Sequence, residues 1–116
     1  MVPYSVVIPA WNASATIVET LRSVAAQTHA PAEIILADDG STDATPDVAQ
    51  GAGVAFKALR LGHRGPGAAT SAGIAAATTG YVATLDADDL WLADKMERQM
   101  AHMIARPALM ASFGHM

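Results

Sequence analysis

Hydrophobic positions along this chain switch repeatedly between a period of two and a helical period. Residues 4–8 (YSVVI) form a short β-branched run closed by Pro9, which predicts a first strand. From Ser14, placed as an N-cap, the apolar positions Ile17, Leu21 and Val24 recur at helical spacing, and Pro31 closes that segment. Residues 33–37 (EIILA) predict a second strand, followed by the turn DDGSTD. Asp43 is placed to cap a short helix over 44–50, with Pro46 accommodated in its first turn. Gly51 and Gly53 then precede a third strand over 54–59. The loop LGHRGPG leads into an Ala-rich helix over 68–78, and Gly80 ends it. A fourth strand over 81–85 delivers Asp86 at its C-terminal end. Leu92, Met96, Met100, Met103 and Ile104 predict a helix over 92–106 stopped by Pro107, with a fifth strand over 109–113.

Strands alternating with helices through short connections define an α/β fold, a mostly parallel sheet with helices on both faces. The 116 residues are expected to form one domain. Ligands of such sheets bind outside the C-terminal ends of the strands. Those ends are PAWN after the first strand, DDGS after the second and DADD after the fourth, distant in sequence and expected along one rim.

Composition narrows the chemistry. The apolar fraction is 52%, yet no apolar run approaches the roughly 20 residues of a membrane span, so no transmembrane segment is expected. No basic and apolar leader opens the chain, which points to the cytoplasm, with peripheral attachment at the cytosolic face of a membrane as a variant. The absence of cysteine removes disulfides, zinc–thiolate sites and thiol catalysis. A formal net charge of −4 argues against a nucleic-acid reader. Distribution matters more than the sum, because Asp38, Asp39 and Asp43, then Asp86, Asp88 and Asp89, concentrate over half of the eleven acids in two clusters. Like charges so crowded call for a cation or a raised pKa.

Each cluster carries a specific expectation. In DADD, hard carboxylate oxygens from Asp86, Asp88 and Asp89 suit Mn²⁺ or Mg²⁺, with water and phosphate completing the shell. Such a cation would stabilise a departing diphosphate; the competing use of these aspartates is to cap the following helix. In DDGSTD, Gly40 permits a positive φ, Asp38 is expected to hold the turn's own amides, and Asp39 to accept an imide or ribose hydrogen from a nucleoside. Trp11 offers a ring for stacking on a base, and Trp91 is expected to pack beneath the DADD loop. GHRGPGAATSAG lacks the third glycine of a dinucleotide fingerprint and follows the wrong strand; it reads as a helix N-terminus turned toward phosphate, with His63 and Arg64 nearby. His29, His102 and His115 show no ligand spacing.

With these residues in place, the sequence resembles family 2 glycosyltransferases of the Rossmann-like GT-A fold. The stretches VVIPAWN, SVAAQT, EIILADDGSTD, GPGAATSAGIAAATTGYVATLDADDLW and DKMERQ occur in family order from Val6 to about Gln99. The resemblance implies inverting transfer of a sugar from a nucleoside-diphosphate sugar, by default a UDP-sugar, to an unknown acceptor with a divalent metal. It implies a nucleotide-sugar set of Pro9, Trp11, Asn12, Asp38, Asp39, Gly67, Asp86, Ala87 and Asp88, with Asp88 and Asp86 on the metal. Trp11 stands where the family has Tyr, Thr70-Ser71 where it has Arg-Asn, His63 for a frequent Asn and Ala93 for a frequent Pro. Domains of this family are about twice as long, so the chain is expected to be the donor-binding part, the general base lying beyond Met116.

Two other classes compete. A phosphoacceptor receiver also holds Mg²⁺ on acids, but needs an acidic pair after strand one and a Lys after strand five. A non-catalytic assembly fragment would self-associate through strand five and the Met-lined helix.

Overall fold

The computed structural model describes residues 3–99. Four strands, β1 (Ser5–Ala10), β2 (Glu33–Asp38), β3 (Lys57–Arg60) and β4 (Val82–Thr84), form one parallel sheet in the order β3-β2-β1-β4. Three helices connect them: α1 (Ile17–Ala25), α2 (Thr45–Gln50) and α3 (Pro66–Ala76). No helix among the described residues is long and apolar enough to cross a membrane.

Strand alternation sorts the core into two layers. Tyr4, Val6 and Ile8, with Ile34 and Leu36 beside them, cluster with Ile17, Leu21 and Val24 of α1 and Ala49 of α2. Full burial of each Leu or Ile contributes about 1.5–3 kcal/mol. Val7, Ile35 and Ala37 are equally buried but point to the other face, against which α3 packs. Apart from Pro66 and Ile74 that helix is made of Ala, Gly, Thr and Ser, and at Gly73 it lies against the sheet with no room for a side chain. A Cβ on Gly73 would stand 2.3 Å from Cγ1 of Val7.

Several boundaries differ from the periodicity reading, each for a local reason. β1 runs through Pro9 instead of ending before it. Odd-numbered residues of β1 bond toward β4 (Ser5 N to Tyr81 O, 2.9 Å; Val7 O from Leu85 N, 3.0 Å), and β4 ends at Thr84, so no partner calls for an N–H at Pro9. Helix α1 starts at Ile17, and Ser14 is not its cap. The amides of Thr16 and Ile17 both turn back to Ala13 O, while Ser14 N donates to Asp43 Oδ2 at 3.3 Å. α3 begins two residues early because Pro66, lacking an N–H, is suited to the first helical position. β3 is short and displaced to Lys57–Arg60, and residues 54–56 stay outside it. β4 ends two residues before Asp86, although the Leu85 amide continues its ladder. Leu92 is 61% exposed and precedes the last helical turn, residues 95–99, in which Met96 is fully buried. The rest of the helix predicted over 92–106, with Met100, His102, Met103 and Ile104, lies outside the described residues, as do the fifth strand over 109–113, His115 and the self-association expected there.

The Gly73–Val7 contact generates a direct test. An alanine gains about 1 kcal/mol of helix propensity but overpacks the interface at about 1–3 kcal/mol. Gly73→Ala is expected to lower stability in urea denaturation, and Val7→Ala in the same chain to recover part of the loss. A Gly73→Ala variant more stable than the parent would contradict the packing.

Candidate functional site

The loops at the C-terminal ends of β1, β2 and β4 are stitched together by side chains that accept backbone amides. Asn12 occupies the left-handed region at φ 51°, which its short amide side chain tolerates. Its Oδ1 accepts Thr42 N at 2.8 Å and Asp43 N at 3.3 Å, and its own amide donates to Ser41 Oγ at 2.9 Å. Asn12 therefore binds the loop after β1 to the turn after β2. Asp43 accepts Thr45 N at 2.9 Å and the Thr45 hydroxyl, which starts α2 as expected of a cap, one position before the nominal cap Ala44. The Thr45 hydroxyl bond above all holds the Asp43 pKa down, to about 2.

The two aspartates of DDGS divide their duties. Asp38 is 1% exposed; it accepts the amide and hydroxyl of Ser41 and pairs with Arg60 Nε at 3.2 Å. Its carboxylate is taken up by the turn. Asp39 reaches the loop before α3, accepting Arg64 N at 2.9 Å on Oδ1 and Gly65 N at 3.0 Å on Oδ2. The amide of Arg64 is the largest cause of its lowered pKa. The amides of Arg64 and Gly65, the two residues before α3, thus turn to Asp39. A carboxylate has about four lone-pair sites, so Asp39 retains capacity for another donor. Gly40, at φ 76°, is required in this turn: a Cβ there would meet His63 N at 2.8 Å.

Trp11 is half exposed and stacked on His63, ring centroids 4.8 Å apart and planes 26° from parallel. His63 Nδ1 also lies 3.2 Å from Asp39 Oδ2. Sequence periodicity gives no hint of this ring pair, because the two residues are on loops 52 positions apart. Together with Pro9, Ala10, Asp39 and Pro66 they line a cavity of about 220 Å³. Pro9, Trp11 and Pro66 also border a second, wider space of about 410 Å³ that reaches Asn12, Asp86, Ala87 and Asp88. The two spaces adjoin across these three residues and together make a groove along the rim. Gly67, the second residue of α3, is open to solvent on its Cβ side. Arg64 is exposed and borders a separate groove with Arg60.

At the far end of the groove, carboxylate oxygens of Asp86, Asp88 and Asp89 lie within 4.8 Å of one another. Asp86 and Asp88 are exposed and Ala87 between them is buried, so the turn presents both acids outward. Three hard oxygen donors at this spacing, with room in the groove for water and phosphate, fit a Mn²⁺ or Mg²⁺ ion. Trp91 packs beneath the turn at 5% exposure. Behind the turn stand Thr16, Thr20, Ser23 and Gln27 of α1 and its flanks, which donate to or accept from the backbone of residues 87–96. Their spacing of four, three and four is the one sequence sign of this polar stripe.

The chain belongs to glycosyl transferase family 2, whose sequence pattern matches residues 5–115. It is 42% identical over 98 residues to an uncharacterized glycosyltransferase of Nostoc sp., a stretch covering 81% of this chain and 30% of that protein. Its fold superposes on a mannosyltransferase from Pyrobaculum calidifontis in complex with GDP-Man and Mn²⁺ (TM-score 0.82, 26% identity), covering 94% of this chain and 34% of the other. It also matches Staphylococcus aureus TarS 1-349 in complex with UDP-GlcNAc (TM-score 0.77, 25% identity, 90% and 32% covered). The sheet is therefore that of the Rossmann-like GT-A glycosyltransferases, and the receiver-like alternative is set aside. The chain spans about a third of the length of these three proteins.

The depressed Asp43 pKa fixes a pH dependence. Its folded value of about 2 lies below the ordinary 3.8, so its contribution is present above about pH 4 and lost as pH falls toward 2. Glu33, held at about 2 chiefly by the Ser5 hydroxyl and Lys57, acts in the same direction. Asp43→Asn is expected to lower stability at pH 7 and to converge with the parent near pH 2 in urea titrations. An equal gap at both pH values would refute this account.

Proposed function

We propose that this chain is the donor-binding part of an inverting, metal-dependent glycosyltransferase that moves a sugar from a nucleoside-diphosphate sugar to an acceptor hydroxyl. The observation that carries the proposal is the pair of adjoining cavities that share Pro9, Trp11 and Pro66, one reaching His63 and Asp39 and the other Asp86 and Asp88 of the acidic cluster. A nucleobase fits against Trp11, with Asp39 accepting its imide hydrogen; His63, now on that ring, is the side chain the base must lie beside or displace. Asp86 and Asp88 hold the cation at the diphosphate end, where it neutralises the departing phosphate when bound. Asn12, Pro9 and Ala87 shape the groove, and Asp38 supports it from the turn.

Turnover also needs a base on the acceptor hydroxyl, on the side opposite the leaving diphosphate. Asp94 and Glu97 are poor candidates, because Asp94 pairs with Arg98 at 3.6 Å and Glu97 accepts the Thr28 hydroxyl at 2.6 Å. The base therefore comes from outside the described residues. The complexes of the archaeal and staphylococcal structural relatives support a nucleotide-sugar donor and Mn²⁺. We assign UDP as the default nucleotide, a cytoplasmic or peripheral site of action, and Mn²⁺ or Mg²⁺ as the cation.

Calorimetric titration of UDP with and without Mn²⁺ tests the assignment. Binding is expected to strengthen with Mn²⁺, and Asp88→Ala to abolish that gain. Trp11→Ala is expected to weaken UDP by about 1–3 kcal/mol, roughly 5- to 150-fold. UDP binding indifferent to metal, or to Asp88→Ala, would reject the metal-bridged site; indifference to Trp11→Ala would reject the stacking platform.

A further inference from the structure

One face of α1 and its flanks carries hydroxyls and an amide at positions 16, 20, 23 and 27, and all four serve the backbone that bears the acidic turn. Thr16 Oγ1 donates to Ala87 O at 2.8 Å. Thr20 Oγ1 stands 2.8 Å from both Ala87 O and Asp89 O. A hydroxyl has a single hydrogen, so Thr20 serves Asp89 O best while Thr16 serves Ala87 O. Ser23 Oγ accepts Trp91 N at 3.2 Å, and Gln27 donates to Leu92 O at 2.6 Å and accepts Met96 N at 2.9 Å. Thr20 is fully buried, in a helix whose neighbouring positions 17, 21 and 24 fill the apolar core. A buried hydroxyl there is useful only for the carbonyls it meets.

We infer that Thr20, assisted by Thr16, is a positioning residue for the cation site: the two hydroxyls pin the carbonyls of Asp89 and Ala87 inward, so that Asp86 and Asp88 are held outward together. The inference rests on the metal assignment made above. Two physical demands support it. Carboxylate oxygens of Asp86, Asp88 and Asp89 within 4.8 Å of one another repel before any cation arrives, and the Thr16 and Thr20 hydroxyl bonds add to the Asp89 N to Asp86 O bond at 3.1 Å in holding the turn against that repulsion. A ligand set already in place also binds without the cost of ordering it. Thr20 touches neither cation nor substrate; it acts through the backbone of residues 87–89.

The test uses Thr20→Val, which keeps the shape and removes the hydroxyl, and Thr20→Ser, which keeps the hydroxyl. Mn²⁺ binding is titrated directly by electron paramagnetic resonance in the full chain, with UDP binding measured separately without metal. Thr20→Val is expected to weaken Mn²⁺ about 10-fold, in the range that loss of a partner behind the ligands causes. Thr20→Ser is expected to restore parental binding, and metal-free UDP affinity to stay unchanged in both. A folded Thr20→Val that binds Mn²⁺ as the parent does overturns the inference, as does Thr20→Ser as weak as Thr20→Val. If Thr20→Val does not fold, Thr16→Val, which strips one donor from Ala87 O at a half-buried position, must weaken Mn²⁺; parental affinity there overturns the inference instead. A parent chain that binds no Mn²⁺ fails the metal assignment itself and takes this inference with it.

Discussion

Parallel pairing of β1 with β2 on one side and β4 on the other is the constraint from which the site follows. All strands point the same way, so the loops leaving β1, β2 and β4 emerge at one end of the sheet. Asp39 and Asp86 are 47 positions apart in the chain, yet they border adjoining cavities because the residues between them cross out through α2 to β3 and then make a return crossing. That crossing is α3, whose alanines and Gly73 let it lie flat on Val7. A bulkier helix would lift away from the sheet and carry the Gly65–Pro66 loop with it, out of reach of Asp39.

Around this frame the rim spends most of its polar groups on itself. Loop backbone that leaves a sheet must find partners, and an unmet buried donor or acceptor costs about 1–3 kcal/mol. Asn12, Asp38, Asp43 and Thr45 meet that demand for the first two loops, and Thr16, Thr20 and Gln27 meet it for the third. The carboxylates then fall into two groups. Asp38 and Asp43 are engaged by the turns, whereas Asp86 and Asp88 are turned to solvent with a buried alanine between them. Asp39 belongs to both groups, fastening the loop before α3 while lining the cavity beside Trp11.

The family and the sheet were legible from short motifs because β1, β2 and β4 carry β-branched residues and lead into polar turns. Element edges were less legible. Pro9 reads as a strand breaker, and its tolerance depends on how short β4 is. Ser14 reads as a cap, but α1 starts three residues later, with the Thr16 and Ile17 amides closed on Ala13 O and Ser14 itself tied to Asp43 of a different loop. Leu92 and Met96 share a helical spacing, but the helix begins between them, so one is exposed and the other buried.

What the sequence by itself determined is the alternation of strands and helices, the parallel α/β class, and the acids and aromatic ring that would gather at the strand ends. These depend on periodicity and residue chemistry, which are local. What only the tertiary structure decided is the use of each acid, the stacking of His63 on Trp11, and the polar face of α1 behind the DADD turn. Those depend on which backbone amides and carbonyls are left over when the loops meet, and that remainder exists only once the chain has folded.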